Sequence, residues 1–350
     1  MSLLFTDNAA SALPDLRRKQ VFLVYPDTCG EMLLDSLGRD VLPEGTVFLP
    51  VKQGEQNKTL EAAQGLWTEM LKAGATRRSL IVNLGGGMTT DLGGFAAANW
   101  MRGIRYINIP TTLLAMVDAA TGGKTAVNFP FGENGEAGMV KNLIGAFHEP
   151  LLTVVSPQFL ATLPTEEIFS GWGEMLKHAL LSDRDMAARY LVTDPLLLKP
   201  EQWLPLIQES VAVKQKIVKA DPHEHGVRRM LNLGHTVGHA LEAHLHLRHG
   251  HAVAIGLVTA LVLSNMRHSF PPVMMQGIAI HVRAFFPAAR FSCKDYDALL
   301  DLMHHDKKAG TSGKITFSLL KEPGDFAPPD TVPDAEILTA LDITRDLLGI

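Results

Sequence analysis

The 350-residue chain has only two cysteines, Cys29 and Cys293, 264 positions apart. That excludes a local thiolate zinc cluster and argues against a disulfide framework. Net charge is also scarce: 32 basic and 37 acidic residues leave −5. Such a mild acidic balance speaks against nucleic acid or an anionic membrane as the main partner. Long hydrophobic runs are missing. The longest, 252–263, has 12 residues and contains Gly256 and Thr259, whereas a membrane span needs about 20. The opening MSLLFTDNAA carries no basic segment ahead of its short apolar stretch, so a cytoplasmic protein is expected. Repeats and low-complexity segments are absent too. What is present is ordinary globular composition, 46% hydrophobic and 20% charged, in a length that suits about two domains.

Histidine is the one residue in excess. Eight of the 14 lie between His223 and His251, where a uniform spread would put about one.

Segments 21–25, 45–49, 79–84, 104–109 and 152–155 are short and rich in β-branched or aromatic residues, and are predicted to be strands. Between the second and third, Leu60, Ala63, Leu66, Trp67, Met70 and Leu71 recur at helical spacing, and Gly74 stands where such a helix would end. This β-α-β order predicts a mostly parallel sheet with helices on its faces. After about residue 160 the pattern turns helical, with predicted helices over 166–182, 201–220, 227–246, 251–267, 272–286, 294–304 and 334–348. In that half only 314–320 reads as a strand, and 131–138 reads as an exposed loop. The expected division is an α/β domain over 1–160 and an all-α domain over 161–350.

Two glycine clusters carry chemistry. Leu84-Gly-Gly-Gly-Met-Thr-Thr-Asp-Leu-Gly-Gly-Phe95 follows a strand and opens a helix. Its glycines let the backbone approach a ligand, and its N–H groups with the helix N-terminus suit a pyrophosphate. The usual dinucleotide fingerprint is not met, because Thr90 stands where the third glycine belongs. Gly122-Gly-Lys-Thr125 resembles the end of a phosphate-binding loop, but Asp118 replaces its first glycine, which excludes an ATPase of that kind. A plain tight turn is the competing reading of each.

Within the histidine window, His235 and His239 are four apart and share a helix face, with Arg228 and Asn232 near it. His249 follows His235 by 14 residues; upstream, Glu174, Lys177 and His178 share a face. Imidazoles with a carboxylate are a usual zinc set, and a catalytic zinc keeps one position open. Thr236 stands where a metalloprotease would have its glutamate. On spacing alone, satisfied or solvent-facing histidines compete with a metal site. His223, His225, His244 and His246 belong to no constellation. Lys124, Lys177, Lys214, Arg228, Lys307 and Lys308 sit among apolar or small residues and not in a long run. They suit a small anion bearing phosphate and carboxylate, or else a solvated surface.

Taken in order, these motifs identify a family. Gly-Gly-Gly-x-x-x-Asp91 with Gly94-Phe95, Met101-Arg-Gly103, Pro110-Thr-Thr-Leu-Leu114, Val117-Asp118 to Gly123-Lys-Thr125, Ser170 to Lys177, Asn232 to Glu242, His249-Gly250 and Asp306-Lys-Lys308 resemble 3-dehydroquinate synthase over about residues 50 to 320. The resemblance implies a Rossmann-like NAD-binding domain followed by an all-helical metal- and substrate-binding domain. It also implies a homodimer with the site in the cleft between domains. Implied metal ligands are Glu174, His235 and His249, for zinc or cobalt. Implied substrate or catalytic positions are Asp118, Lys124, Lys177, Lys214, Arg228, Asn232, His239 and one of Lys307 or Lys308. Arg102 would reach across the dimer to the substrate phosphate, and Asn142 belongs with that phosphate. Glu55 and Lys58 match positions near the adenosine ribose. Gly86, Gly87, Asp91, Thr111, Thr112, Lys141, Thr162 and Glu167 match others lining the NAD or phosphate sites, as Asp118 and Lys124 also do.

The reaction so implied belongs to the shikimate pathway of aromatic amino acid biosynthesis and uses 3-deoxy-D-arabino-heptulosonate 7-phosphate. Hydride leaves C5 for NAD, phosphate is eliminated, hydride returns, the ring opens, and an intramolecular aldol step closes the carbocycle. NAD is regenerated. Three departures from the family pattern stand out. His251 replaces the family glutamate after His-Gly. The stretch between Gly132 and Lys141 is longer by eight residues. The interval from His235 to His249 is shorter by two. Three other readings remain at this stage. One is a valiolone- or inosose-type cyclase, another a metal-dependent polyol dehydrogenase on the same scaffold, and the third a non-catalytic histidine-rich metal binder.

Overall fold

The computed structural model describes residues 2–120, 122–131, 138–221, 226–305 and 315–350. They form two compact units: Met1–Leu163 with Lys199–Gln208, and Pro164–Leu198 with Glu209–Ile350.

The first unit runs β1 (Leu3–Phe5), α1 (Ala9–Ala12), β2 (Val21–Pro26), α2 (Gly30–Leu37), β3 (Val47–Val51), α3 (Leu60–Lys72), β4 (Leu80–Gly85), α4 (Gly87–Asn99), β5 (Arg105–Pro110), β6 (Lys124–Phe131), β7 (Gly138–Phe147) and β8 (Leu152–Val155). Six of these strands form one all-parallel sheet in the order β1-β8-β5-β4-β2-β3. Its central strands are buried along nearly their whole length, as expected for a sheet covered on both faces. Helix α3 forms where the spacing predicts it. Thr59 Oγ1 caps it by accepting from the Ala62 N–H, Ala63, Leu66 and Met70 face the core, and Gly74 takes φ +70 just past its end. The chain passes from β2 outward to β3, then returns to β4 on the other side. That reversal makes a crevice at the carboxyl ends of the strands, the usual ligand position in such sheets. The turn Gly85–Gly87 lies at the carboxyl end of β4.

The β6–β7 hairpin was not expected. Glycine and proline at Pro130 and Gly145 obscure its alternation in the sequence, yet the strands pair antiparallel from Lys124↔Phe147 to Phe131↔Gly138. The predicted loop over 131–138 falls largely on 132–137, outside the described residues.

The second unit contains α5 (Thr165–Ser182), α6 (Arg184–Val192), most of α7 (Pro200–Ala220), α8 (His235–Leu245), α9 (His249–His268), α10 (Pro272–Phe285), α11 (Tyr296–His305) and α12 (Asp334–Leu348). Its expected strand divides into two short ones, β9 (Thr316–Phe317) and β10 (Leu320–Glu322). These pair with β12 (Asp330–Thr331) and β11 (Asp325–Phe326) as separate ribbons beside the helices. The helix expected over 227–246 breaks at Gly234, which takes φ +78 and packs too closely on Leu257 to admit a Cβ. A 3-10 turn, Val227–Asn232, precedes the break.

Helix α9 is the core of this unit and packs on α5, α8, α10 and α12. It is long and apolar enough for a membrane span, but 83% of its apolar window is buried inside the protein. The α5–α9 crossing depends on glycine. A Cβ on Gly250 would lie 1.8 Å from the Ser170 carbonyl oxygen, and one on Gly173 would lie 2.4 Å from the Gly250 oxygen.

Candidate functional site

In the second unit, α5 supplies Glu174 and Lys177, one turn apart, while α8 begins at His235 and α9 begins at His249. Glu174 is wholly buried. Its Oε1 lies 3.4 Å from His235 Nε2 and 3.2 Å from His249 Nε2. The ligand atoms of these three residues all lie within 4.8 Å of one another. Burial alone would raise the Glu174 carboxyl. Lys177 and His249 outweigh it and hold the group well below the usual carboxylate range. Burial and then Lys177 push the His235 imidazole well below its ordinary value, so it is neutral. Its Nδ1 is 3.2 Å from the Leu233 carbonyl. For His249, burial acts downward, but hydrogen bonds to Glu174 and Glu242 raise it to about 10. Both rings therefore turn Nε2 toward the carboxylate and tie Nδ1 elsewhere. A buried anion, a neutral imidazole and a second imidazole converging in this way fit a divalent cation with nitrogen and oxygen ligands.

His239 stands beside this set, its ring centroid 5.2 Å from that of His235 and 6.1 Å from that of His249. His251 does not join it. It is 5% exposed, and its ring meets Phe286 edge-on at 5.7 Å. Two residues along a helix from His249 it faces elsewhere, as helical geometry requires.

In the first unit the glycine turn is a backbone site. Gly86 is the N-cap of α4 and makes no side-chain capping bond. A Cβ there would lie 3.0 Å from Thr112 Cγ2, and one on Gly87 would lie 3.1 Å from the Ala119 Cβ. A helix N-terminus with a glycine N-cap and closely packed glycines suits an outside acceptor such as a pyrophosphate. Buried Lys58 donates to Asp91 of α4 at 3.0 Å and to Asn142 Oδ1 at 2.6 Å, and it pairs with Glu55 at 3.0 Å. Burial raises the Asp91 carboxyl, and the net result is about 6 despite Lys58. Asp118 sits in a π turn, Ala115–Ala119, whose entry Thr112 caps by accepting from the Ala115 N–H. Thr111 is buried, its N–H bonded to the Gly85 carbonyl, and Lys124 is the first residue of β6.

The remaining expected residues scatter more. Arg228 is buried and Asn232 half-buried in the turn before α8, and Lys214 is half-buried on α7. Arg102 is exposed on a tight turn where Met101, Arg102 and Gly103 take φ +46, +69 and +112 in succession, a conformation costly for the first two. Lys141 and Asn142 lie on β7. Asn142, expected at the phosphate, contacts Lys58 and so joins the Lys58–Asp91 group. Thr162 is exposed at the end of a 3-10 turn, and Glu167 is engaged by Arg248. Lys307 and Lys308 lie outside the described residues.

Two participants went unread in the sequence. Glu242, three residues after His239, accepts from His249 Nδ1 at 3.0 Å; its i+7 spacing from His235 was the available signal. Asn128 donates to Glu55 at 3.0 Å and accepts the Asn142 N–H at 2.9 Å, a tertiary pairing with no local signature.

Comparison with known proteins fits this geometry. The 3-dehydroquinate synthase N-terminal family model matches residues 48–170, and the C-terminal one matches 171–309. The 3-dehydroquinate synthase of Parabacteroides distasonis is 44% identical over 308 residues, covering 87% of this chain and 85% of that protein. Among solved structures, 2-deoxy-scyllo-inosose synthase complexed with carbaglucose-6-phosphate, NAD+ and Co2+ superposes with TM-score 0.82 at 23% identity, over 97% of this chain and 95% of the other. The 2-epi-5-epi-valiolone synthase of Streptomyces hygroscopicus, with NAD+ and Zn2+ bound, gives TM-score 0.82 at 24% identity, over 99% and 96%. At those identities the two structures share the fold. The family models and the 44% identity carry more: the chain belongs to the 3-dehydroquinate synthase family.

Proposed function

We propose that the protein performs the family reaction, converting 3-deoxy-D-arabino-heptulosonate 7-phosphate to 3-dehydroquinate and phosphate as a carbon–oxygen lyase. The observation that carries this is 44% identity with a 3-dehydroquinate synthase over 87% of this chain, with family models matching residues 48–170 and 171–309.

Glu174, His235 and His249 would hold a divalent metal, zinc or cobalt. When bound, such a metal supplies Lewis-acid polarisation of a substrate hydroxyl or carbonyl oxygen. The amides at Gly86 and Gly87 would hold the NAD pyrophosphate, with Glu55, Lys58 and Asp91 toward a ribose. When bound, NAD supplies a hydride acceptor that is regenerated within the cycle.

The other residues bind, orient and move protons. His239 is the proton relay for the C5 hydroxyl: it adjoins the ligand histidines and is half-buried. Lys177, Lys214, Arg228 and Asn232 orient the substrate carboxylate and hydroxyls, and Lys177 also holds Glu174 ionised. Lys124 and one of Lys307 or Lys308 bear on the phosphate end, while Asn142 sits with the Lys58–Asp91 group. The substrate phosphate itself is a base for the elimination, so positioning carries much of the catalysis. Arg102 is presented, exposed, on a strained turn. It suits a role toward the phosphate bound by a second copy in a homodimer. The cytoplasm is the compartment that fits such a biosynthetic reaction.

Purified protein with NAD, Zn2+ and the heptulosonate phosphate should release phosphate with no net NADH. Accumulation of NADH would favour a dehydrogenase. Cyclisation of another heptulose phosphate in place of this one would favour the valiolone-type reading.

A further inference from the structure

The two histidines that face Glu174 are held in different ways. His235 is tethered through Nδ1 to a carbonyl two residues away, at Leu233. His249 is tethered through Nδ1 to the carboxylate of Glu242, on another helix, at 3.0 Å. The path of the chain creates that contact. His235, His239 and Glu242 lie at i, i+4 and i+7 on α8, so they share one face. The connection 246–248 then reverses direction, with His246 in the left-handed region at φ +53. Helix α9 consequently begins beside the last turns of α8, and its first residue is His249.

A ring at a helix start has few neighbours to fix its rotation. The His249 side chain is 27% exposed, whereas that of Glu174 is 0% exposed. A carboxylate that accepts the Nδ1 proton fixes both the tautomer and the ring plane, and it makes Nε2 a stronger donor. Glu242 is well placed for this, its side chain only 15% exposed.

We propose that Glu242 is the positioning residue of the metal site: its carboxylate holds His249 so that Nε2 faces Glu174, and it strengthens that nitrogen as a ligand. The inference rests on the reading of Glu174, His235 and His249 as the metal set. Glu242 itself touches neither metal nor substrate in this assignment.

The test uses the full-length metal-free protein titrated with Co2+. Readouts are the visible d–d spectrum, the dissociation constant from chelator competition, and the melting temperature of the metal-free form. Glu242→Ala should weaken Co2+ binding about 10–100-fold and shift the d–d band at saturating Co2+. Glu242→Gln keeps a neutral acceptor, so it should restore the wild-type melting temperature and band position while recovering only part of the affinity. Wild-type affinity and spectrum in Glu242→Ala would overturn the proposal. So would a Glu242→Gln protein as weak as Glu242→Ala with an equally lowered melting temperature, since that marks a purely structural role. Failure of the underlying reading shows separately: Glu174→Ala and His235→Ala would then bind Co2+ like wild type.

Discussion

The two units build their candidate sites by opposite means. In the first, ligand-facing groups at the glycine turn are backbone amides, and the side chains there are absent by necessity, since a Cβ on Gly86 would press on Thr112. In the second, the groups are side chains, several of them charged and buried, and the backbone serves to bring three helices close enough for them to meet. A backbone site is sensitive to added atoms. A buried ionic site is sensitive to removed ones, because each partner left behind is a charge without compensation.

The sharpest break of that comparison is Glu174→Ala. It strands Lys177 in the interior, and loss of one partner from a buried pair costs about 3–5 kcal/mol. Zinc content and phosphate release should fall to background and the denaturant midpoint should drop; full zinc occupancy in a folded variant would refute the ligand assignment. Next is the added atom in the other unit. Gly86→Val must displace Thr112, and overpacking costs about 1–3 kcal/mol, or roughly 5–150-fold in NAD affinity if it is expressed there. Calorimetry should show weakened NAD binding with metal content intact. Loss of both together would mean the two sites are not separable as described.

Metal affinity is also expected to depend on pH. In the metal-free protein His249 lies at about 10, above its unfolded value of about 6.5. A raised imidazole contributes stability that is complete below the unfolded value and is lost as pH rises through the folded one. Zn2+ must displace that proton, so apparent affinity should rise about tenfold per pH unit between roughly 7 and 10. His235 is already neutral and adds nothing to the slope. Chelator competition across that range checks the slope, and a flat profile would contradict the placement of His249. The smallest effect belongs to His251→Ala. Losing a buried ring should cost about 1–3 kcal/mol and leave metal stoichiometry unchanged. If His251→Ala loses metal while His249→Ala retains it, the ligand register is wrong.

Local signals made much of this legible. The strands around 21–25 and 79–84 could be read because parallel-sheet strands covered on both faces are apolar throughout. Gly74 could be read as a helix end because left-handed backbone favours glycine. The candidate histidines could be named because their motifs are ordered along the chain. The β6–β7 hairpin escaped because its strands are interrupted by Pro130 and Gly145. Glu242 escaped because a helix face shows what is aligned on α8 but not where α9 starts. Glu167, expected near the cofactor, is engaged by Arg248, a partner 81 residues away in sequence.

By itself, then, the sequence determined which chemical groups were present: few thiols, crowded imidazoles, a glycine turn after a strand, and a lone carboxylate upstream of the histidines. It also determined the helix and strand periods that sort those groups onto faces. Only the tertiary structure decided which of them meet. The crowding divides there: His235 and His249 turn toward Glu174, His239 stands beside them, and His251 is buried against Phe286. The reason is geometric. A helix period fixes direction within one element, but a candidate metal set drawn from three elements depends on how closely α5, α8 and α9 can approach. That approach is set by glycines at 173, 234 and 250, where there is no room for a side chain.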